Sequence, residues 1–488
     1  MHLLNGKTAL LLLLGFTGCT VNLSRSGQST GSGGKSSTPV GGGGAAAQAP
    51  TAGKAASDGS AATAGKIGGT PNGGRSGGGA GGKPSAGGAS GGRAGAAAGG
   101  TSGGTGGSAG AAPAGALKPP CQACAKTSSA CEDMTPAPGS SRAGAIAAKL
   151  GRSHFLIGMG NDLDNDHSKD GAYTLGTTLD LHYAYMVGLP GMGGWPDWNS
   201  DGTFVNILAD SAANNCVTPM YTMYSMAAWG DGNLAGLSDS GYMGAYWSAA
   251  KLLFQRIAEF DKPAVVHIEP DFWAYAAQQS NQNPASMKVL IAGQASDCAG
   301  LPENLVGMGK CWIKLARNYA PKALVGFHAS QWGGSPTEIV SFFNAIGAAD
   351  SDMIFMDMLD RDAGCFEAAQ DPNCKRQGQF YWDETNATSP NFHEYLSYAK
   401  QVSDGLGKPI LWWQVPFGVP SDTPGGSAGH YRDNRVKYIF SHVDEFVAAG
   451  GLGVTFGTGA GNQTSWTTDD GQFKKAAATY FQNPTRLP

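Results

Sequence analysis

Charge is scarce in this chain. Asp, Glu, Lys and Arg make up 14% of its 488 residues and leave a formal net charge of -4, so there is no basic footprint for nucleic acid. Long apolar runs are missing as well: the one near the N-terminus, Ala9 to Phe16, has about eight residues, well short of the roughly 20 that span a bilayer as a helix. From Thr20 to Leu117 large apolar side chains are few, so this stretch cannot bury enough surface to offset its ordering entropy. No G-x-G-x-x-G follows the first strand-like run, which argues against a dinucleotide fold. Glycine, by contrast, is plentiful at 76 residues, and most of it lies in the first quarter. The chain is therefore two materials and is read in two parts.

Met1 to Cys19 carries one early cation, Lys7, then the short apolar run, which is the layout of a secretory signal. Phe16-Thr17-Gly18-Cys19 resembles the lipobox of bacterial lipoproteins, with Phe16 where Leu is usual. The resemblance implies a lipoprotein signal peptide within residues 1–19, cut so that the lipidated Cys19 becomes the new N-terminus, and Thr20 in place of the retention Asp implies the outer membrane or cell surface. Residues 20–118 read as a disordered Gly/Ala/Ser tether with a reach of roughly 50–60 Å. The membrane is expected to be met through the lipid alone, and residues 119–488 to form the globular domain.

Eight cysteines remain beyond Cys19, and an even number outside the cell suggests disulfides. Cys298 with Cys311 and Cys365 with Cys374 are the local pairings expected; Cys121, Cys124, Cys131 and Cys216 would pair among themselves. The C-x2-C-x6-C spacing at Cys121 also raises a zinc site, but no His/Cys group of matching spacing follows it.

From about His154 onward, strand-length apolar runs alternate with helix-length amphipathic stretches, the pattern of β-α units around a parallel sheet. Strands are placed at 154–160, 179–187, 217–225, 264–268, 323–328, 353–358, 409–414 and 453–456. Helices are clearest at 242–260, 303–319, 336–348, 391–406, 432–449 and 472–482, three of them stopped by Lys262-Pro263, Ala320-Pro321 and Lys408-Pro409. Eight units in about 340 residues suit a (β/α)8 TIM-type barrel better than an open doubly wound sheet.

In such a barrel the chemistry sits where the strands end. Those positions are polar and aromatic here: Asn161 to Asp164, His182 with Trp195 nearby, His267-Ile268-Glu269-Pro270-Asp271-Phe272-Trp273, His328 with Trp332, Asp357 with Asp360-Arg361-Asp362, and Trp412-Trp413-Gln414. Alternation along Val265 to Glu269 sends His267 and Glu269 into the lumen, and the same argument on strand six points Phe355 and Asp357 inward. Two carboxylates across a wet cleft are what glycosidic hydrolysis needs, and strands four and six are far enough apart to favour room for a water, the inverting arrangement. Eleven tryptophans would supply stacking faces for sugars.

The segment Val265-Val266-His267-Ile268-Glu269-Pro270-Asp271, followed by His328-Ala329-Ser330-Gln331-Trp332, resembles the family-six cellulases, in which an I-E-P-D motif ends a strand and an H-A-x-W run follows on a later one. The resemblance covers about 120 residues and implies that Asp271 is the general acid. It fails at Tyr221 to Met226, where that family has an aspartate-rich strand end; a D-x-x-D-R-D run does occur, at Asp357 to Asp362. Glu269-Pro270 also resembles half of the pattern of retaining barrel glycosidases, but Gln414 stands where their nucleophilic Glu would be.

Three readings follow. The first is an extracellular glycoside hydrolase acting on a polysaccharide or oligosaccharide, with Asp271 or Glu269 as acid and Asp357, Asp360 or Asp362 as base. In it His182, Trp195, His267, Trp273, His328, Trp332, Trp412 and Gln414 bind sugar or support the site. The second is a non-catalytic carbohydrate-binding barrel. The third is a metal-dependent hydrolase using His267, His328 and the Asp357–Asp362 acids, although the H-x-H pair common after strand one of such enzymes is missing. No cofactor is implied and a monomer is expected. The loop 419–435 is long enough to be a lid, or a passive surface loop.

Overall fold

The computed structural model describes residues 139–160 and 171–488. The signal peptide, Cys19, the tether, Cys121, Cys124, Cys131 and Asn161 to Asp164 lie outside the described residues.

Eight parallel strands close into a barrel: β1 (Leu156–Gly160), β2 (Leu181–Val187), β3 (Thr218–Tyr224), β4 (Ala264–Ile268), β5 (Ala323–His328), β6 (Met353–Met356), β7 (Ile410–Val415) and β8 (Gly451–Phe456). Each pairs with its sequence neighbours, and β1 with β8 completes the ring. The fold is thus the expected (β/α)8 barrel.

Outside it run α1 (Arg142–Lys149), α2 (Phe204–Asn214), α3 (Ser240–Phe260), α4 (Phe272–Gln279), α5 (Leu305–Tyr319), α6 (Pro336–Ala345), α7 (Phe392–Leu406), α8 (Arg435–Ser441), α9 (Val443–Ala448) and α10 (Gln472–Tyr480). The expected helix over 432–449 is two helices, because His442 leaves helical geometry at φ -135°, ψ 33°. Helices α1, α2 and α4 were not anticipated; α2 and α4 are short, Ala-rich stretches with weak apolar contrast.

Strand alternation sorts the core into two parts. Leu181, Tyr183, Met220, Val265, Leu324, Phe355, Leu411 and Trp413 fill the lumen, joined by Ile146 and Ala147 of α1 beneath it. Ile157, Tyr221, Val266, Ile268, Val325, Ile354 and Trp412 face outward into the layer shared with the helices. Glycine makes room for the bulky lumen side chains: a Cβ on Gly160 would lie 2.5 Å from the Tyr183 ring.

Both local disulfides form, Cys298–Cys311 and Cys365–Cys374, with Cα separations of 5.4 and 5.7 Å. Cys216 is disulfide-bonded as well. The loop 419–435 is clamped rather than free: Val419 bridges Arg432, Arg432 pairs with Glu367, and Gly426–Ser427 pairs with His430–Tyr431 as a small ribbon.

Candidate active site

The carboxyl ends of β3 to β6 build one constellation. Strand β4 stops at Ile268, and Glu269 and Asp271 then take left-handed backbone angles, φ 51° and 64°. Such angles are costly for residues with a Cβ and persist where the surroundings enforce them. The first of these turns breaks the alternation expected from the sequence. Instead of entering the lumen, Glu269 turns toward β3, is fully buried, and accepts from Ser225 N–H at 3.1 Å and Met226 N–H at 3.0 Å. Burial pushes its carboxyl up to about 8. Glu269 is therefore a protonated brace for the β3 loop rather than a lumen acid.

The second turn brings Asp271 to the rim, half-buried. A small open depression lies there between Tyr224, Gly230, Asp231, Pro270, Asp271 and Tyr275. Desolvation raises Asp271 to about 7, eased by His328 and reinforced by the negative charges of Asp357, Asp231 and Asp360. The Tyr224 hydroxyl lies 3.0 Å from Asp231 Oδ1 and 3.5 Å from Asp271 Oδ2.

Asp357, just past β6, has a side chain 23% exposed and lies 3.2 Å from His328 Nε2. Burial alone would raise it, but hydrogen bonding, first from His328 and then from Ser330, outweighs that and holds it below the ordinary carboxylate value. Tyr395 of α7 donates to the Asp357 backbone carbonyl at 2.6 Å and fixes the strand end. The two acids are thus shifted in opposite directions, and the charge of Asp357 adds to the rise of Asp271.

The other residues expected from the sequence divide. Asp360 is at the rim, but its carboxylate is paired with Arg361 and with Arg376 at 2.5 Å. Asp362 is not a base: it is buried, accepts from Gly418 N–H at 3.1 Å and Thr464 N–H at 2.7 Å, and joins the β6, β7 and β8 loops. Burial and then the neighbouring Asp433 raise it to about 8.

His182 faces outward from β2, where Nδ1 meets the Tyr173 hydroxyl at 2.9 Å. His267 is fully buried beneath the site and cannot touch sugar. Trp195, Trp273 and Trp412 are also fully buried in the outer core. Trp273 donates to the Ile268 carbonyl and Trp412 to the Tyr395 hydroxyl, so none of the three offers a free ring face.

Gln414 sits at the mouth between β2 and β8, accepting from Tyr185 at 2.7 Å and donating to the Thr458 carbonyl at 3.1 Å. Trp332 is 39% exposed and stands edge-on to Tyr275 at 4.7 Å.

Sequence reasoning passed over Asp231 and Tyr275, and it named Tyr224, Trp229 and Trp413 among the strand-end residues without giving them a role. Gly230-Asp231-Gly232 is a turn signal that hid an acid, seven residues beyond the strand end, which folds back against Tyr224. Trp413, one residue after Trp412, is the tryptophan that points inward, stacking edge-on to His267 at 4.8 Å. Its Nε1 is buried without a hydrogen-bond partner among the described residues. Also among the described residues, no group of three or more His, Cys, Asp or Glu side chains is gathered to hold a metal ion.

No family model and no curated protein matches this chain. Solved structures to which it is similar include the D-psicose 3-epimerase of Clostridium cellulolyticum, at 11% identity over 67% of this chain and 97% of that one, TM-score 0.35. The endo-beta-1,4-mannanase of Thermotoga petrophila matches at 12% identity over 68% and 77%, TM-score 0.38. The endoglucanase Cel6 of Mycobacterium tuberculosis matches at 14% identity over 58% and 73%, TM-score 0.28. Likeness at this level assigns no chemistry to the chain.

Proposed function

We propose that the barrel is a glycoside hydrolase acting on a polysaccharide or oligosaccharide by acid and base catalysis. One observation carries the reading: Asp271 after β4 and Asp357 after β6 stand at the same mouth in unlike surroundings, Asp357 beside His328 at 3.2 Å and held below its ordinary value, Asp271 desolvated and raised to about 7. A pair of titratable groups separated in this way is suited to opposite roles at one pH. Asp271 holds a proton to give to the leaving glycosidic oxygen. Asp357 is ionised and takes a proton from water attacking the anomeric carbon.

The positions favour inversion over retention. Strands β4 and β6 are separated by β5, so their backbones stand about 9.5 Å apart, two strand spacings, which leaves space for a water between the acids. The exposed rings of Trp229 and Trp332 are suited to hold sugar faces. The lipid expected on Cys19 would keep such an enzyme on the cell surface, facing extracellular glycans.

Asp271→Asn and Asp357→Asn should each abolish sugar release from a panel of glucans, mannans and xylans while polymer binding persists. Proton NMR of the first product formed by the wild type should show the inverted anomer. Unchanged turnover in both variants would overturn the assignment. Binding without turnover by the wild type would identify a carbohydrate-binding barrel instead.

A further inference from the structure

Beneath Asp357 runs a column of buried polar side chains that acid and base chemistry does not itself require. Thr222 on β3, His267 on β4 and His328 on β5 are at most 1% exposed. The register places Thr222 beside His267. Thr222 Oγ1 lies 3.4 Å from His267 Nδ1, His267 Nε2 lies 2.9 Å from His328 Nδ1, and His328 Nε2 lies 3.2 Å from Asp357 Oδ1.

The proton order in this column follows from its last member. An ionised carboxylate only accepts, so Nε2 of His328 carries a proton. With that one proton on His328, its Nδ1 is an acceptor and the nitrogen facing it at 2.9 Å, Nε2 of His267, donates. Nδ1 of His267 is left to accept from the Thr222 hydroxyl. Burial holds His267 well below the usual imidazole value, so it has one proton to place, and this order uses it.

Among the described residues the walls are aromatic. Phe355 stacks on His267 at 4.0 Å, and Trp413 meets His267 and His328 edge-on at 4.8 and 5.6 Å. The charged groups facing the column are Asp357 at its end and Asp271 across the mouth, which His328 also influences.

We infer that His267 is a positioning residue: its Nε2–H fixes the tautomer and ring orientation of His328, which in turn aims one N–H at Asp357 and holds that carboxylate in place as the base. The inference rests on the proposed function for the role of Asp357, whereas the hydrogen-bond order stands on geometry alone. A partner that fixes which histidine nitrogen carries the proton is a recurrent way of setting a reactive group.

Two variants test it on the full chain. His267→Phe keeps an aromatic ring against Phe355 but leaves the buried Nδ1 of His328 without a donor. His267→Gln keeps an N–H that can reach it. Histidine-selective nitrogen-15 labelling, with His328 assigned through a His328→Asn control, reads the tautomers without any substrate. In the wild type His267 and His328 should both show the Nε2–H pattern. In His267→Phe the His328 shifts should leave that pattern, with kcat down about 10- to 100-fold and KM held, and His267→Gln should restore both.

A shared melting midpoint establishes that each variant is folded; should His267→Phe fail to fold, the wild-type tautomers and His267→Gln decide. An Nδ1–H tautomer or a doubly protonated ring at His328 in the wild type, or unaltered His328 shifts in a folded His267→Phe, overturns the inference. If the tautomers are as stated and no glycan is cleaved, the hydrogen-bond order stands and the glycosidase reading fails.

Discussion

Replacing Asp231 by Asn probes the electrostatics of the mouth without touching the two acids themselves. The Tyr224 hydroxyl lies 3.0 Å from Asp231 and 3.5 Å from Asp271. The two carboxylates therefore stand no more than about 6.5 Å apart, and their repulsion is about 0.6 kcal/mol in water-like surroundings and about 2.5 kcal/mol at an effective dielectric of about 20. Since about 1.4 kcal/mol is one pH unit, removing the charge should lower the Asp271 value by roughly half to two units.

Asp231 is exposed, so solvent screening puts the expected shift at the lower end of that range, and raising the salt should shrink it. In the pH profile of kcat/KM the basic limb, set near 7 by Asp271, moves to lower pH while the acid limb stays. Carbon-13 NMR titration of the Asp271 carboxyl reads the same shift without substrate. A basic limb that stays near 7, or moves up, would refute the assignment of Asp271 as the acid and of Asp231 as the charge that helps keep it protonated.

Further outcomes are expected elsewhere. Glu269 holds its proton up to about 8 in the folded chain but near 4.5 when unfolded, so it contributes stability at low pH that is lost as pH rises through that window. Glu269→Gln should flatten part of the decline in unfolding free energy between those pH values, leaving the share of Asp362, which titrates in the same region; an unaltered slope would contradict a neutral Glu269. Trp412→Ala should cost about 3–5 kcal/mol in denaturant unfolding, as for a buried aromatic. Trp332→Ala should leave unfolding unchanged and weaken binding of the substrate polymer by about 0.5–1.5 kcal/mol; the reverse pattern would mean that their environments are misassigned.

The sequence by itself determined the barrel. Period-two apolar runs such as Ala264–Ile268 and Ala323–His328 are strands to the residue, and Pro263, Pro321 and Pro409 mark the entries to β4, β5 and β7, because backbone hydrogen bonding and side-chain alternation are local. Asp271 and Asp357 were legible as strand-end acids for the same reason, and so were the two short-range disulfides.

Only tertiary structure decided which acids face the chemistry and which way neighbouring side chains turn. Glu269 satisfies strict alternation on paper, but its left-handed backbone and the unpaired N–H groups of Ser225 and Met226 draw it out of the lumen. Adjacent tryptophans at 412 and 413 are indistinguishable by composition, yet β7 sends Trp412 to the helices and Trp413 into the barrel. Asp362 reads like Asp357 until the Thr464 and Gly418 amides claim it. Asp231 becomes part of the site through a contact with Tyr224 made only when the β3 loop folds back. Each of these outcomes depends on which polar groups from distant segments need a partner once water is excluded, and no local pattern encodes that.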